Sequence, residues 1–404
     1  MTSFTKIPRR SLTTYRGELR DLSRALVRRE FGRGAAVARF ERAFATHVGA
    51  AGAAATGSGR QALLMILEAA GLSPGDRILF PAFTLRQMVE LMRDRGLVPV
   101  FADVDPHTFH LTPSTIERAG GGQCRAIVAT HLFGSMCDIV PIRRFCDERG
   151  IFLVEDCAQA LGATSDGVPA GAFGDAAFFS FSNDKPIFAF GGGIAVARTP
   201  PLAEKLHALA AQLPCSAPKL LSALAFAAAE SIASRGVFYS LLCATRGTAE
   251  RAIAVFAKMK AVASSSETGF SDLQAVVAAK QLEILAAQNL PRINHARKIL
   301  AAAGSAAIPQ HIPTGVAPVY YQLIFLLKEG TSPRDVAAAL LARGVDAGVG
   351  EDILQLCPPS LDDRGSYPGA ERVLSAAIQI PNHARLTPSQ VDKIALEFRR
   401  ISSE

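Results

Sequence analysis

At 404 residues the chain is two to three times the usual size of one domain, so two domains sharing an interface are expected. With 49% apolar and 20% charged residues it is not disordered, collagen-like or a disulfide scaffold. The net charge of +7, from 43 Lys+Arg against 36 Asp+Glu, favours anionic ligands. The basic residues are scattered, Trp is absent and no aromatic residues interleave with a basic stripe, which argues against nucleic acid as a partner.

Seven cysteines (Cys124, Cys137, Cys146, Cys157, Cys215, Cys243, Cys357) are odd in number and contain no CxxC pair. They read as buried thiols, with neither a disulfide framework nor a metal site expected. The first 21 residues carry charges throughout and no apolar run, so no secretory signal is read there and a cytoplasmic location is expected.

In chain order, residues 37–48 and 60–70 have helical periodicity, and 77–80 and 98–101 read as short buried strands. The alternation continues with a strand at 125–130, a helix at 141–149, and strands at 151–155, 176–181 and 193–197. Apolar strands joined by helices predict an α/β fold with a mostly parallel sheet covered on both faces. From about 200 to 303 the sequence is Ala- and Leu-rich and helical. A Pro/Gly-rich stretch at 308–319 then leads to a strand at 320–328, a helix at 333–343 ending at Gly344, and a last helix at 388–401. The expected division is a large domain over 1–300, with an apolar helical insert at about 202–265, and a small α+β domain over 301–404. No repeat of 20 to 50 residues supports a solenoid.

Three elements carry chemistry. In EDCAQALGA, residues 155–163, Asp156 ends a buried strand, where a carboxylate can face a ligand crevice and hold a cationic heterocycle, or merely cap a helix. In SFSNDKPIFAFGGG, residues 180–193, Lys185 lies in a loop between apolar strands; the neighbouring IFAF can desolvate the amine and make it nucleophilic toward an aldehyde, although most loop lysines are solvated. In TGSGRQAL, residues 56–63, Gly-Ser-Gly opens a helix, so that free N–H groups and the Ser58 hydroxyl can receive a phosphate; an ordinary Gly-rich turn would look the same. A phosphate seat, a strand-end carboxylate and an apolar-flanked amine together are what pyridoxal 5'-phosphate requires.

With these residues the chain resembles the DegT/StrS family of fold-type I PLP-dependent aminotransferases, over most of 36–200, again at 270–285 (FSDLQAVVAAKQLEIL) and near 380–387. The resemblance implies that Lys185 bonds covalently to the cofactor and acts as general base, that Asp156 pairs with the ring nitrogen, and that Gln159 lies near the ring oxygen. Ser180 and the turn Ser58, Gly59 and Arg60 would hold the phosphate. His131, in THLFG, resembles a position lining the family's substrate site, or is a hydrogen-bonded strand-end histidine. His383 would lie near the entrance, and Phe178, Phe179 and Phe181 read as core.

The chain also departs from the family. Leu85, in PAFTLRQ, stands where an aromatic residue usually stacks on the cofactor ring, with Phe83 two before it. Arg60 replaces a small residue and either adds a cation to the phosphate seat or points to solvent. Glu267 and Gly269 stand where an Asn and an Arg commonly reach the neighbouring subunit, and Val349 to Asp352 replace a His-Tyr pair. The cofactor machinery is kept while the substrate-facing and inter-subunit parts are rebuilt.

The implied function is transfer of an amino group from an amino acid, glutamate by resemblance, to a nucleotide-linked or lipid-linked keto sugar, by a homodimer with sites at its interface. The alternatives are a non-catalytic sensor or scaffold on the same fold, or a PLP enzyme of another reaction type acting on a hydrophobic substrate. A dehydratase normally has His in place of Lys185. Within the insert, two uncharged runs at 220–229 and 236–245 are too short to span a membrane. With their basic flanks, residues 216–246 suit the inner face of an anionic membrane or a lipid-like substrate, or cover the sheet or a dimer contact.

Overall fold

The computed structural model describes residues 6–183, 185–233, 239–240, 268–357 and 365–402. The large sheet has seven strands, β1 (Gly52–Thr56), β2 (Arg77–Pro81), β3 (Val98–Ala102), β4 (Ala126–Thr130), β5 (Phe152–Asp156), β6 (Ala176–Ser180) and β7 (Gly193–Ala197), in the spatial order β1-β7-β6-β5-β4-β2-β3. All pairings from β6 through β5, β4 and β2 to β3 are parallel. Strand β7 alone runs against both of its neighbours, β1 and β6.

The short apolar runs form strands because both faces of this sheet are covered. Along β4, Ile127 and Ala129 enter one core with Phe40, Phe44 and Phe179, while Ala126 and Val128 enter the opposite core with Leu63, Ile66 and Phe178. Helix Ala35–Val48 lies against helix Asp272–Glu283 and β1 on the first side. Helix Gly59–Ala69 backs β6 and β7 on the other.

A second sheet of four antiparallel strands, β8 (Ala307–Pro309), β9 (Leu323–Leu327), β10 (Gly348–Val349) and β11 (Ala377–Ile380), is ordered β8-β9-β11-β10. Its core joins Phe325 to Phe398, ring centroids 4.7 Å apart, with helices Pro333–Ala342 and Pro388–Ser402 on it. Ile7, Ala296 and Ile299 also lie in this core, so residues on both sides of the expected 300/301 division contribute to it.

Among the described residues between 200 and 303 the helices are Pro200–Ala211, Ala217–Ala233, Asp272–Glu283 and Leu285–Ala302. Residues 241–267, with Cys243 and Glu267, and most of the second uncharged run at 236–245 lie outside the described residues. Among the described residues no helix is long and apolar enough to cross a membrane.

Candidate active site

Parallel pairing sets the ends of the central strands level, with Thr130 of β4 opposite Asp156 of β5 and Asp156 opposite Phe178 of β6. A cavity of about 800 Å³ opens at this carboxyl edge, the place where ligands bind in open parallel sheets. The structure brings every expected site residue to its wall: Ser58, Gly59, Arg60, Leu85, His131, Asp156, Gln159, Ser180 and Lys185.

The turn before helix Gly59–Ala69 is held by backbone. Thr56 donates its hydroxyl to the Ser58 carbonyl at 2.8 Å, and the Gly57 and Gly192 amides donate to Thr268 and Gly57 carbonyls at 2.7 and 3.0 Å. Gly192, at φ +103, turns so closely past Phe270 that a side chain there would strike its ring, and a Cβ on Gly59 would lie 3.1 Å from Ser180 Cβ. The Ser58 oxygen caps the helix by accepting the Gln61 N–H at 3.1 Å, which leaves its hydroxyl proton to donate. Helix-start N–H groups, the Ser58 hydroxyl and the half-buried Ser180 hydroxyl therefore converge where an anionic group can sit.

Asp156 is 8% exposed, and one of its oxygens accepts the Ala158 N–H at 3.0 Å. Burial pushes its carboxyl above the usual carboxylate range, against the pull of Ala158, Lys185 and His131. A cationic ring nitrogen beside it would restore the ionised form. Gln159 accepts the Phe133 N–H through Oε1 at 2.9 Å, which orients its amide so that Nε2 remains as a donor on the cavity side. Lys185 Nζ lies 5.7 Å from the centre of the Tyr321 ring. Its turn is fixed at the backbone, where the Lys185 carbonyl accepts the Thr13 hydroxyl at 3.2 Å and its amide donates to the Ser182 carbonyl at 3.0 Å.

His131 borders the cavity without offering it a ring nitrogen. It is fully buried; Nε2 bonds Glu155 Oε2 at 2.9 Å, and Nδ1 accepts the Cys137 N–H at 3.2 Å, which assigns the ring proton to Nε2. Glu155 in turn accepts three backbone N–H groups, from Gly171, Phe173 and Gly174. His131, Glu155 and Cys157 are grouped closely enough to hold a metal, yet those bonds already occupy the Glu155 oxygens and both histidine nitrogens.

Arg60 is half-buried on the cavity wall and donates to Gln87 Oε1 at 2.8 Å; burial lowers its pKa. Leu85 is 44% exposed at the cavity and Phe83 is fully buried in the core, so no aromatic ring from this loop faces the site. Asp352 also lines the cavity and is paired with Arg9 at 2.9 Å. His383 is tied to the Pro8 carbonyl at 3.2 Å and does not line the cavity.

Other wall residues carry no motif that would have found them. Thr130 Oγ1 and Gln322 Oε1 are buried without a protein partner and line the cavity, as do donors or acceptors awaiting a polar ligand. Gln274 supports the glycine turn by donating to the Ala189 carbonyl at 3.2 Å and the Gly191 carbonyl at 3.4 Å; its Ser271-x-x-Gln274 capping box is the one visible sign. Helix Ala217–Ala233 roofs the site through Lys219, Ala223, Phe226 and Ala229, and its Glu230 accepts a hydrogen bond from Asn183, two residues before Lys185. An anion seat, a buried carboxylate needing a cation, an amide donor, orphaned polar atoms and a lysine on one cavity fit pyridoxal phosphate.

GDP-perosamine synthase of Vibrio cholerae is 34% identical over 173 residues, 43% of this chain and 47% of that protein. L-glutamine:2-deoxy-scyllo-inosose aminotransferase of Streptomyces kanamyceticus is 36% identical over 177 residues, 44% of this chain and 42% of that protein. The chain thus spans about half the length of the curated relatives it matches. The crystal structure of the aminotransferase TlmJ from Streptoalloteichus hindustanus shares the fold, with a TM-score of 0.79, 24% identity and 98% of both chains covered. The sequence model of the DegT/DnrJ/EryC1/StrS aminotransferase family matches residues 15–221 and 240–399, which leaves 222–239 unmatched. By that match over most of its length, the chain belongs to the DegT/DnrJ/EryC1/StrS aminotransferase family.

Proposed function

We propose that the protein is a PLP-dependent transaminase that moves an amino group from an amino acid, glutamate by family resemblance, to a keto sugar linked to a nucleotide or a lipid. The observation that carries this is the placement of Lys185 and Asp156 on one cavity with the Ser58, Gly59 and Ser180 anion seat. Pyridoxal phosphate bound there supplies an aldehyde that bonds reversibly to an amine and a ring that accepts an electron pair.

The chain's own residues do the rest. Ser58, the N–H groups at the start of helix Gly59–Ala69 and Ser180 bind the phosphate. Asp156 holds a proton on the ring nitrogen, and Gln159 Nε2 donates to the ring oxygen. Lys185 Nζ, as a free amine, takes the proton from the donor's α-carbon and returns it two atoms away; in the second half-reaction it delivers a proton to the former carbonyl carbon of the acceptor. His131, on the wall, and Glu155, bonded to it, fix the β4 and β5 ends and so the Asp156 position.

Family resemblance supports a homodimer. Cytoplasmic placement, and contact with the inner membrane face through 216–246, rest on sequence composition. Within the described part of that stretch, Leu220 and Ala227 are buried with Phe188 and Phe190 while Ala223 and Phe226 line the cavity, which supports a wall of the site over a membrane-facing surface.

In the test, borohydride reduction of the purified protein tags the peptide containing Lys185, and glutamate shifts the cofactor's near-visible absorbance. The Lys185→Ala variant shows neither response. A colourless wild-type protein that takes up no pyridoxal phosphate ends this reading, and a coloured one inert to every amino donor favours the sensor or scaffold.

A further inference from the structure

The transaminase reading leaves the acceptor's linked group open, and the roof of the cavity bears on it. We infer that the acceptor sugar carries an apolar chain that lies against the face formed by Ala223, Phe226 and Ala229, so that it is lipid-linked and not nucleotide-linked. This inference rests on the transaminase reading.

Residues 219, 223, 226 and 229 of helix Ala217–Ala233 recur at three- and four-residue spacing and all line the cavity. The adjoining side of the same helix, Leu224 and Ala227, packs into a cluster with Leu12, Phe188 and Leu273, while Leu220 and Ala223 touch both the cluster and the cavity. The helix is therefore anchored by one apolar face and presents a second one to the ligand space.

From Leu220 to Ala229 the sequence has no charge, and its cavity-lining residues are Leu220, Ser222, Ala223, Ala225, Phe226 and Ala229. Beyond Lys219, small residues beside one ring leave a hydrocarbon slot, and the alanine and phenylalanine side chains there offer the edges of a nucleobase no hydrogen bond. One cation, Lys219, stands at the start of this helix face; the others lie elsewhere on the wall, where Arg60 is bonded to Gln87, Arg10 reaches the Asp352 carbonyl at 3.5 Å, and Lys185 stands on the loop after β6.

The cavity of about 800 Å³ lies toward the upper end of the roughly 300–1,000 Å³ usual for small-molecule sites and extends from the phosphate seat to this roof. The family match stops at 221 and resumes at 240. The face made by Ala223, Phe226 and Ala229 therefore lies outside the part of the chain that matches the family model, which is where a difference in acceptor would be built.

The test titrates the holoenzyme by calorimetry with n-octyl β-D-glucoside below its micelle concentration, with methyl β-D-glucoside and with uridine diphosphate. Octyl glucoside is expected to bind at least about tenfold more tightly than methyl glucoside, because the chain adds apolar area to bury. Ala229→Asp, on the cavity face, should reduce that ratio below about threefold, and Ala228→Asp, exposed and outside the cavity wall, should leave it intact. Phe226→Ala reads the same face should Ala229→Asp fold poorly. Equal binding of the two glucosides, no binding of either, a preference that survives Ala229→Asp and Phe226→Ala, or tighter binding of uridine diphosphate overturns the inference. The glutamate half-reaction needs no acceptor, so its loss in the wild type sinks the transaminase reading, while its presence without an alkyl preference sinks only this one.

Discussion

Asp156 makes opposite demands on the empty and the filled site. Its folded pKa lies above the unfolded one because burial disfavours the charge. The folded state therefore binds more protons in the window above the ordinary carboxylate pKa, and stability falls as pH rises through that window toward the raised value. Asp156→Asn removes this slope. The cofactor-free variant should gain on the order of 1 kcal/mol near neutral pH over the cofactor-free wild type, since a buried charge is lost and the Ala158 N–H keeps an acceptor. The same variant cannot hold a proton on the ring nitrogen, and its glutamate half-reaction should slow by about 100-fold, a loss of roughly 2.7 kcal/mol. Paired melting curves and stopped-flow absorbance check both signs; a cofactor-free variant no more stable than wild type at neutral pH would show that the carboxylate is not strained there. The position of the residue at the end of an apolar strand was legible in the sequence. The Ala158 bond and the orphaned Thr130 hydroxyl were not, because they depend on how the strand ends are levelled by pairing.

Among the elements, helix Ala217–Ala233 acts on the lysine turn as well as on the cavity roof. Asn183 and Lys185 share one short turn, and Glu230 accepts from the Asn183 amide across 47 residues of chain. A hydrogen bond to a charged acceptor contributes about 1.5–3 kcal/mol, so Glu230→Ala should slow the glutamate half-reaction by about tenfold or more by letting the turn drift. Glu230→Gln retains an acceptor oxygen and should recover most of the rate; an alanine variant as fast as wild type would show that the turn needs no such tether. The parallel strands were readable because burial on both faces leaves an uninterrupted apolar run such as AIVAT in β4. The roof helix was readable as a helix, from its Ala and Leu content, but its destination was not. Two apolar faces are compatible with a bilayer, a partner or a cavity, and the contacts of Ala227 with the core and Phe226 with the cavity, which favour a wall of the site, are set by residues distant in the chain. The two-residue strand Phe83–Thr84 and its partner Gln355–Leu356 are too short for any period to register, yet they bury Phe83 and so deprive the cofactor loop of an aromatic face.

At the scale of the molecule, the segment from Ile7 to Thr13 joins the small sheet to the lysine turn. Ile7 pairs in parallel with Val345 and is 3% exposed in the small core, Arg9 bonds Asp352 at 2.9 Å, and Thr13 receives Arg292 at 3.3 Å while donating to the Lys185 carbonyl at 3.2 Å. None of this is visible in the first residues themselves, because the pairing partners lie more than 170 positions away. Two variants separate the ends of the strap. Ile7→Ala leaves a cavity in the small core and should cost about 2–4 kcal/mol of unfolding free energy, with cofactor affinity of the folded protein unchanged. Thr13→Val keeps the size and loses the hydroxyl. It should cost about 1 kcal/mol, because the Lys185 carbonyl and the buried Arg292 guanidinium each lose a partner, and it should weaken cofactor retention severalfold. Removal of residues 1–13 should do both at once, lowering the denaturation midpoint and releasing pyridoxal phosphate together. A truncated protein that keeps its cofactor as firmly as the full chain would mean that the lysine turn is held from within the large sheet alone.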